Sequence, residues 1–476
     1  MSDRLALVWF REDLRLSDNP ALSLALQENA AIIPVFIHDD SGTHTRPLGG
    51  ASRWWLHHSL ESLHESLATK TSRLILRCGD PQKVLSQLIK ETGAGAVYWN
   101  RVYEPGGIER DKVIKKELRD QGLTVRSTNG ALLREPHTVA NKSGTPFKVF
   151  TPFWKHLSTL DIEKPQPDPP KTFPGPSNWP ESETLADWKL LPKIPWDKQF
   201  PERWKPGEKN ASAALTQFLR HSVTSYQKDR NFPALHGTSR LSPHLHFGEI
   251  SPRQIWWKGQ ASQNSGHPSL RTFLSEVGWR EFAYHLLYHF PHTTKEPLQE
   301  KFRDFPWRQS RTDRRAWEKG ETGYPIVDAG MRELWATGWM HNRVRMIAGS
   351  FLVKNLLLPW QEGEAWFWDT LVDADAASNT LGWQWVGGCG ADAAPYFRIF
   401  NPIRQGERFD PDGEYVRRWI PALGKMPNKY IHAPWECPAE LLASAGVELG
   451  KDYPKPMVDH RETRQRALDA FGQTKE

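Results

Sequence analysis

The chain has 476 residues, 38% of them hydrophobic and 25% charged, with a formal net charge of +6 and a pI near 9.0. That balance suits a soluble globular protein of two or three domains. No run of about 18 uncharged apolar residues could span a bilayer, and MSDRLALVWF lacks the basic start and cleavage site of a signal peptide. Three scattered cysteines, Cys78, Cys389 and Cys437, argue against a disulfide framework and a four-cysteine cluster, so a reducing, cytoplasmic setting is expected.

In chain order, LALVWF, AIIPVFIHD, SRLILRCGD, AGAVYWN and LTVRST read as strands, being short and rich in β-branched and aromatic residues. Between them PALSLALQE, SRWWLHHSLESLHESLA, PQKVLSQLIKETG and IERDKVIKKELRDQG read as helices. This alternation predicts an α/β Rossmann-like domain with a parallel five-stranded sheet over residues 1–135. The turn after the first strand, WFREDLRLSDN, carries no GxGxxG, so a dinucleotide fingerprint is not supported there.

Residues 136–207 read as a connector. Eleven prolines between 165 and 206 remove amide donors and fix φ, which excludes a regular element. From 208 to 476 the periodicity is helical and predicts a larger all-α domain. SAALTQFLRHSVTSYQ, SLRTFLSEVGWREFAYHLLYHF, MRELWATGWMHNRVRMIAGSFLVKNLLL and EAWFWDTLVDADAAS each read as one long helix, and Ser251 before Pro252 reads as a helix start.

Twenty-three tryptophans suggest work with planar ligands or electrons beyond core filling. In HGTSRLS, hydroxyls, a glycine and Arg240 could bind phosphate oxygens or simply form a capped loop. Glu276, Trp279 and Arg280 fall at i, i+3 and i+4 and so share a helix face; Trp339, Asn342 and Met346 are expected to form a second such stripe, with Arg345 a turn from Asn342. In DTLVDADAASNTLGWQW, three acids, two amides and two tryptophans crowd together; Asp373, Asp375 and Asn379 read locally as caps or turn residues. His285 and His289 stand one helical turn apart without an acidic partner, so no metal is expected there. The basic stretch FRDFPWRQSRTDRR could serve a polyanion or a solvated face.

Taken in order, GTSRLS, SEVGWREF, GYPIVDAGMREL, GWMHNRVRM, DADAASNTLGWQW and GADAAPYFRIFNP resemble the flavin domain of the DNA photolyase and cryptochrome family. WFREDLRLSDNPAL extends the resemblance to the first domain and so to essentially the whole chain. It implies that reduced FAD, one per chain, is held by Tyr226, Thr238, Ser239, Arg240, Leu241 and Ser242 at its pyrophosphate, and by Glu276, Arg280, Trp339, Asn342, Arg345, Asp373, Asp375 and Asn379 around its rings. Arg345 is expected to balance a buried acid among them. Asn379 resembles the position facing flavin N5, where plant cryptochromes place aspartate and animal cryptochromes cysteine; an asparagine there suits a flavin kept fully reduced.

The resemblance further implies a lesion pocket of Glu276, Trp279, Asn342, Met346 and Trp385, with Asn342 and a protonated Glu276 bonding the carbonyls of a flipped-out dimer. Photolyases acting on the (6-4) photoproduct carry histidines at 342 and 346, so a cyclobutane pyrimidine dimer is the expected lesion. Trp279 favours double-stranded DNA as the partner. Arg230, Arg343 and Arg398, with Trp279, are expected to contact DNA, and Trp307, Trp360 and Trp383 to pass electrons to FAD. Two departures from relatives, Phe273 and the Thr380-Leu381 pair after Asn379, suggest a different subclass. The expected second pigment is methenyltetrahydrofolate in preference to 8-hydroxy-deazaflavin, and the expected state is a monomer without metal. The implied activity is a deoxyribodipyrimidine photo-lyase, a DNA repair lyase; the rival is a cryptochrome-type photoreceptor without repair.

Overall fold

The computed structural model describes residues 2–475, with side chains from 4 to 474. Strands β1 (Ser2–Phe10), β2 (Asn29–His38), β3 (Ile75–Cys78), β4 (Ala96–Asn100) and β5 (Thr124–Thr128) form one sheet in the order β3-β2-β1-β4-β5. Every pairing is parallel. Helices α1 (Pro20–Glu28), α2 (Gly50–Ala68), α3 (Pro81–Thr92) and α4 (Pro105–Asp120) make the crossovers. Parallel strands covered on both faces must be apolar on both, and all five residues of β4 are buried. Leu7, Trp9, Ile33, Val35, Val97 and Trp99 share a core with Leu85, Leu88, Ile114 and Leu118 of α3 and α4.

Local chemistry sets the helix ends. Asn19 and Asp80 accept hydrogen bonds from Leu22 N and Lys83 N, each ahead of a proline, and Gly93 closes α3 at φ 67°. The proline-rich stretch covers the edge of the sheet instead of hanging free. Leu76 N donates to Ser182 Oγ (2.9 Å), Glu183 N to Leu76 O (2.9 Å) and Cys78 N to Glu183 Oε1 (3.1 Å), which satisfies the open side of β3.

The chain forms two compact units, one of Met1–Pro195, Trp204–Thr224 and Ser239–Pro291, the other of Trp196–Arg203, Ser225–Thr238 and His292–Glu476. The expected boundary at 207 follows secondary-structure content, whereas compactness groups the helices Glu208–His221, Pro252–Gln260 and Pro268–His289 with the sheet. Polar links explain why: Glu208 accepts from Leu16 N and Ser17 N (2.8 and 2.9 Å), and buried Arg253 pairs with Asp18 at 3.1 Å.

Three of the expected long helices are interrupted. The first breaks between Glu208–His221 and Tyr226–Asp229, where Ser222 and Val223 both donate back to Phe218 O. The second breaks at Gly338, which ends Pro325–Thr337 in the left-handed conformation (φ 67°) where a Cβ would meet Phe200 and Val372 at 2.6 and 2.7 Å. The third splits into Trp360–Thr370 and Ala376–Gly387, the latter started by Asp375. The second unit is built on a core that includes Trp317, Val344, Phe351, Leu352, Trp360, Trp383 and Tyr415. Among the described residues, no helix is long and apolar enough to cross a membrane.

Candidate functional site

Of the expected site residues, the first unit holds Ser239, Arg240, Leu241, Ser242, Glu276, Trp279 and Arg280. The last three lie on one face of the Pro268–His289 helix, as their spacing predicts. That helix meets α5 (Phe150–Leu157) at Gly278, where an added Cβ would sit 2.3 Å from the Trp154 ring. The close approach brings Phe150 flat onto Trp279, with centroids 3.7 Å apart and planes 10° from parallel. Trp279 is thereby oriented by the protein itself.

Arg280 donates from Nη1 to the Ala131 carbonyl (2.8 Å), lies over the Tyr284 ring at 4.7 Å and is 3.6 Å from Glu281. Glu281 is buried and accepts from Leu133 N (2.8 Å) and Arg134 N (3.4 Å). Burial pushes its carboxyl up to about 7, against the opposing pull of Arg280 and the two amides. Arg240 occupies the left-handed region at φ 53°, a strain of roughly 1–3 kcal/mol for a residue with a Cβ. Its guanidinium is 6.0 Å from the Trp204 ring, and buried Leu241 anchors the same loop. The His285 and His289 rings touch at 4.6 Å. His285 Nε2 accepts from Phe147 N at 3.0 Å, and burial lowers that imidazole to about 4.

The second unit holds Tyr226, Arg230, Thr238 and the remaining expected residues from Trp307 to Arg398. Trp339 does not share a helical stripe with Asn342 and Met346. Gly338 has already ended the preceding helix, and Trp339 lies in the link before Asn342–Ser350, held by hydrogen bonds with Thr337 Oγ1. Asn342, Arg345 and Met346 do share that helix. Arg345 Nη2 reaches both oxygens of Asp373 at 3.0 and 2.8 Å, and the Asp373 side chain is 4% exposed. An unpaired carboxylate that deep would be costly. Asp375 Oδ1 accepts from Ser378 N at 2.6 Å, so it caps the helix that carries Asn379. Asn379 Nδ2 donates to Glu364 twice, to the backbone oxygen at 3.0 Å and to Oε1 at 2.8 Å. With the nitrogen engaged, the amide oxygen faces the other way.

Trp360 and Trp383 belong to one core cluster, and Trp307 and Trp385 pack against it. Trp383 fits only because residue 363 is glycine, where a Cβ would lie 2.0 Å from its ring. Phe367 and Trp317 meet Trp383 edge-on at 4.9 and 6.1 Å. Arg343 lies over Phe409 at 4.4 Å and donates to Asn231 Oδ1 at 2.6 Å. Burial lowers its pKa, and repulsion from Arg230 and Arg408 lowers it further, so three guanidiniums gather where an anion is favoured. Arg230 also lies over Tyr226 at 5.4 Å. Beneath exposed Arg398, buried Lys354 donates to its carbonyl at 3.2 Å, and burial brings that amine down to about 7.

Sequence reasoning missed Glu364, Phe150, Glu281 and Lys354. Glu364 had a usable signal: it interrupts the apolar face Trp360, Gly363, Phe367, which marks a buried acid in need of a partner. Nothing local linked Phe150 to Trp279.

Two family descriptions match the chain: DNA photolyase over residues 6–171 and FAD binding domain of DNA photolyase over residues 273–473. The chain is 52% identical over 471 residues to the Deoxyribodipyrimidine photo-lyase of Agrobacterium fabrum, which covers 98% of each. The chain belongs to the DNA photolyase and cryptochrome family. Cryptochrome-2 of Arabidopsis thaliana is 39% identical over 488 residues, 100% of this chain and 80% of that one. Among solved structures, a bacterial class III photolyase from Agrobacterium tumefaciens superposes with a TM-score of 0.96 at 52% identity, covering 100% of this chain and 98% of that one. A Synechocystis cryptochrome gives 0.89 at 29% identity over 99% and 100%.

The side chains present suit the flavin dinucleotide named for this family's domain. In the second unit Asp373, paired with Arg345, and the Asn379 oxygen are hydrogen-bond acceptors of the kind a flavin's donors need, and in the first unit Arg240 and the hydroxyls of Ser239 and Ser242 are groups of the kind that bind phosphate.

Proposed function

We propose that the chain is a blue-light-driven photo-lyase that binds FAD and splits cyclobutane pyrimidine dimers in double-stranded DNA. Support comes from 52% identity to a protein named deoxyribodipyrimidine photo-lyase, against 39% to a plant cryptochrome. The observation that carries the reading is Asn379. Its amide hydrogens are committed to Glu364, so toward a ligand it offers a carbonyl oxygen and no transferable proton.

When bound, FAD supplies an electron on excitation by light. The protein does the rest. Tyr226 and the Thr238–Ser242 loop would hold the pyrophosphate, and Arg280, Trp339, Arg345, Asp373 and Asp375 would fix the rings and ribose. Trp279, already stacked on Phe150, presents its opposite face to an everted base. Glu276 and Asn342 hydrogen-bond the pyrimidine carbonyls as charge develops on them, and Met346 and Trp385 exclude water with apolar surface. Arg230, Arg343 and Arg398 neutralise phosphates without reading sequence. Trp307, Trp360 and Trp383 would relay electrons from an external one-electron reductant toward the place where FAD would be held. Methenyltetrahydrofolate is the second pigment, and the protein acts as a monomer.

Dark binding to a duplex with one thymine dimer, against the same duplex undamaged, tests the reading. A preference of about a thousandfold is expected. Equal affinity would contradict a repair role and favour a photoreceptor.

A further inference from the structure

The turn of α2 around residue 58 gathers His57, His58 and Glu61, none of which the proposed repair chemistry uses. Among the described residues, this is the one group of three histidine, cysteine or carboxylate side chains whose ligand atoms all lie within 4.8 Å of one another. His57 Nε2 is 3.3 Å from Glu61 Oε1, and His58 Nδ1 is 2.8 Å from Glu61 Oε2. Spacings of i, i+4 and i, i+3 put both imidazoles over the same carboxylate.

The separations suit a small tetrahedral ion. With metal–ligand bonds of about 2.0–2.2 Å, neighbouring ligand atoms around zinc stand roughly 3.3–3.6 Å apart. The ligand atoms here, all within 4.8 Å of one another, lie in that range or close to it. The His57 side chain is only 11% exposed, so packing holds its ring, and its Nδ1 is buried without a hydrogen-bond partner. Nε2, aimed at Glu61, is therefore the nitrogen through which this ring can act. The His58 ring is set edge-on against Trp54 at 4.6 Å. Glu61 is 50% exposed, which leaves the outer side open to water.

We propose that His57, His58 and Glu61 bind one divalent ion of the zinc class, with water completing the coordination. Two imidazoles and a carboxylate are a donor set that zinc, nickel and copper accept and that magnesium and calcium do not favour. The inference does not depend on the repair reading.

Isothermal titration of the full-length, flavin-loaded protein with zinc chloride tests it, beside His58→Ala and Glu61→Gln variants. His58 is one-third exposed on a helix surface, so its replacement is expected to leave the far-ultraviolet circular dichroism and the zinc-free melting temperature unchanged. One zinc per wild-type chain at micromolar affinity is expected, with each variant weakened by at least about tenfold. Zinc should also raise the melting temperature of the wild type and not that of His58→Ala. Absence of stoichiometric binding to the wild type, or binding unchanged in both variants, would overturn the proposal.

Discussion

Glu281→Gln isolates the energetic cost of a buried acid. Glu281 is fully buried, and its carboxyl is raised from the ordinary 4.5 to about 7. Between those values the folded protein keeps a proton that the unfolded chain has released, so stability falls as pH rises through this window and levels off above it. At about 1.36 kcal/mol per pH unit the full effect is about 3 kcal/mol. Integrated from pH 5 to pH 8 it comes to about 2.5 kcal/mol. Glutamine keeps an oxygen for the Leu133 and Arg134 amides but has no proton to lose. The assay is urea unfolding at 25 °C, followed by circular dichroism, of both proteins at pH 5 and pH 8. Taking the difference between the two proteins cancels the other titrating groups. The stability of the glutamine variant relative to the wild type should rise by about 2.5 kcal/mol between the two pH values. A difference that stays constant, or one that moves the other way, would refute the assignment of a raised, buried carboxyl.

Gly363→Ala places a methyl group against the Trp383 ring; a loss of about 1–3 kcal/mol in stability is expected, together with slower light-driven reduction of the flavin by transient absorption. Arg345→Met removes the guanidinium that balances buried Asp373 and should cost about 3 kcal/mol, while the double variant with Asp373→Asn recovers most of it in a thermodynamic cycle. Arg343→Ala should weaken DNA binding for damaged and undamaged duplexes alike and reduce the slope of log K against log salt by about 1. Phe150→Ala removes the stack on Trp279, so affinity for dimer-containing DNA should fall more than affinity for undamaged DNA in a gel-shift titration.

The sheet was legible because strands buried on both faces are continuous apolar runs, and the helices between them carry prolines and caps at their starts. The long helices of the second half were over-extended. Periodicity runs through Gly338 without interruption, and only the close approach of Phe200 and Val372 shows why that residue must be left-handed. For the candidate site, residues on one helix turn, Glu276 with Trp279 and Arg280, followed from spacing alone. The Arg345 pairing with an acid was suggested by resemblance, and the chain supplies Asp373. Partners distant in sequence were out of reach: Phe150 stands far from Trp279, and Glu364 meets Asn379 only because a glycine lets its helix close on the next. The His57, His58 and Glu61 cluster was hidden for another reason. All three of its members lie on one helix, α2, whose polar positions read as an ordinary solvated face.

Light-driven dimer repair can be measured directly. Reduced, flavin-loaded protein is mixed with an oligonucleotide duplex containing one thymine dimer, exposed to blue light, and the intact strand is quantified by chromatography against a dark control. Recovery of intact thymines that is catalytic, confined to the illuminated sample and abolished in Trp279→Ala is the result expected. Equal yields in light and dark, with the flavin shown to be bound and reduced, would contradict the account.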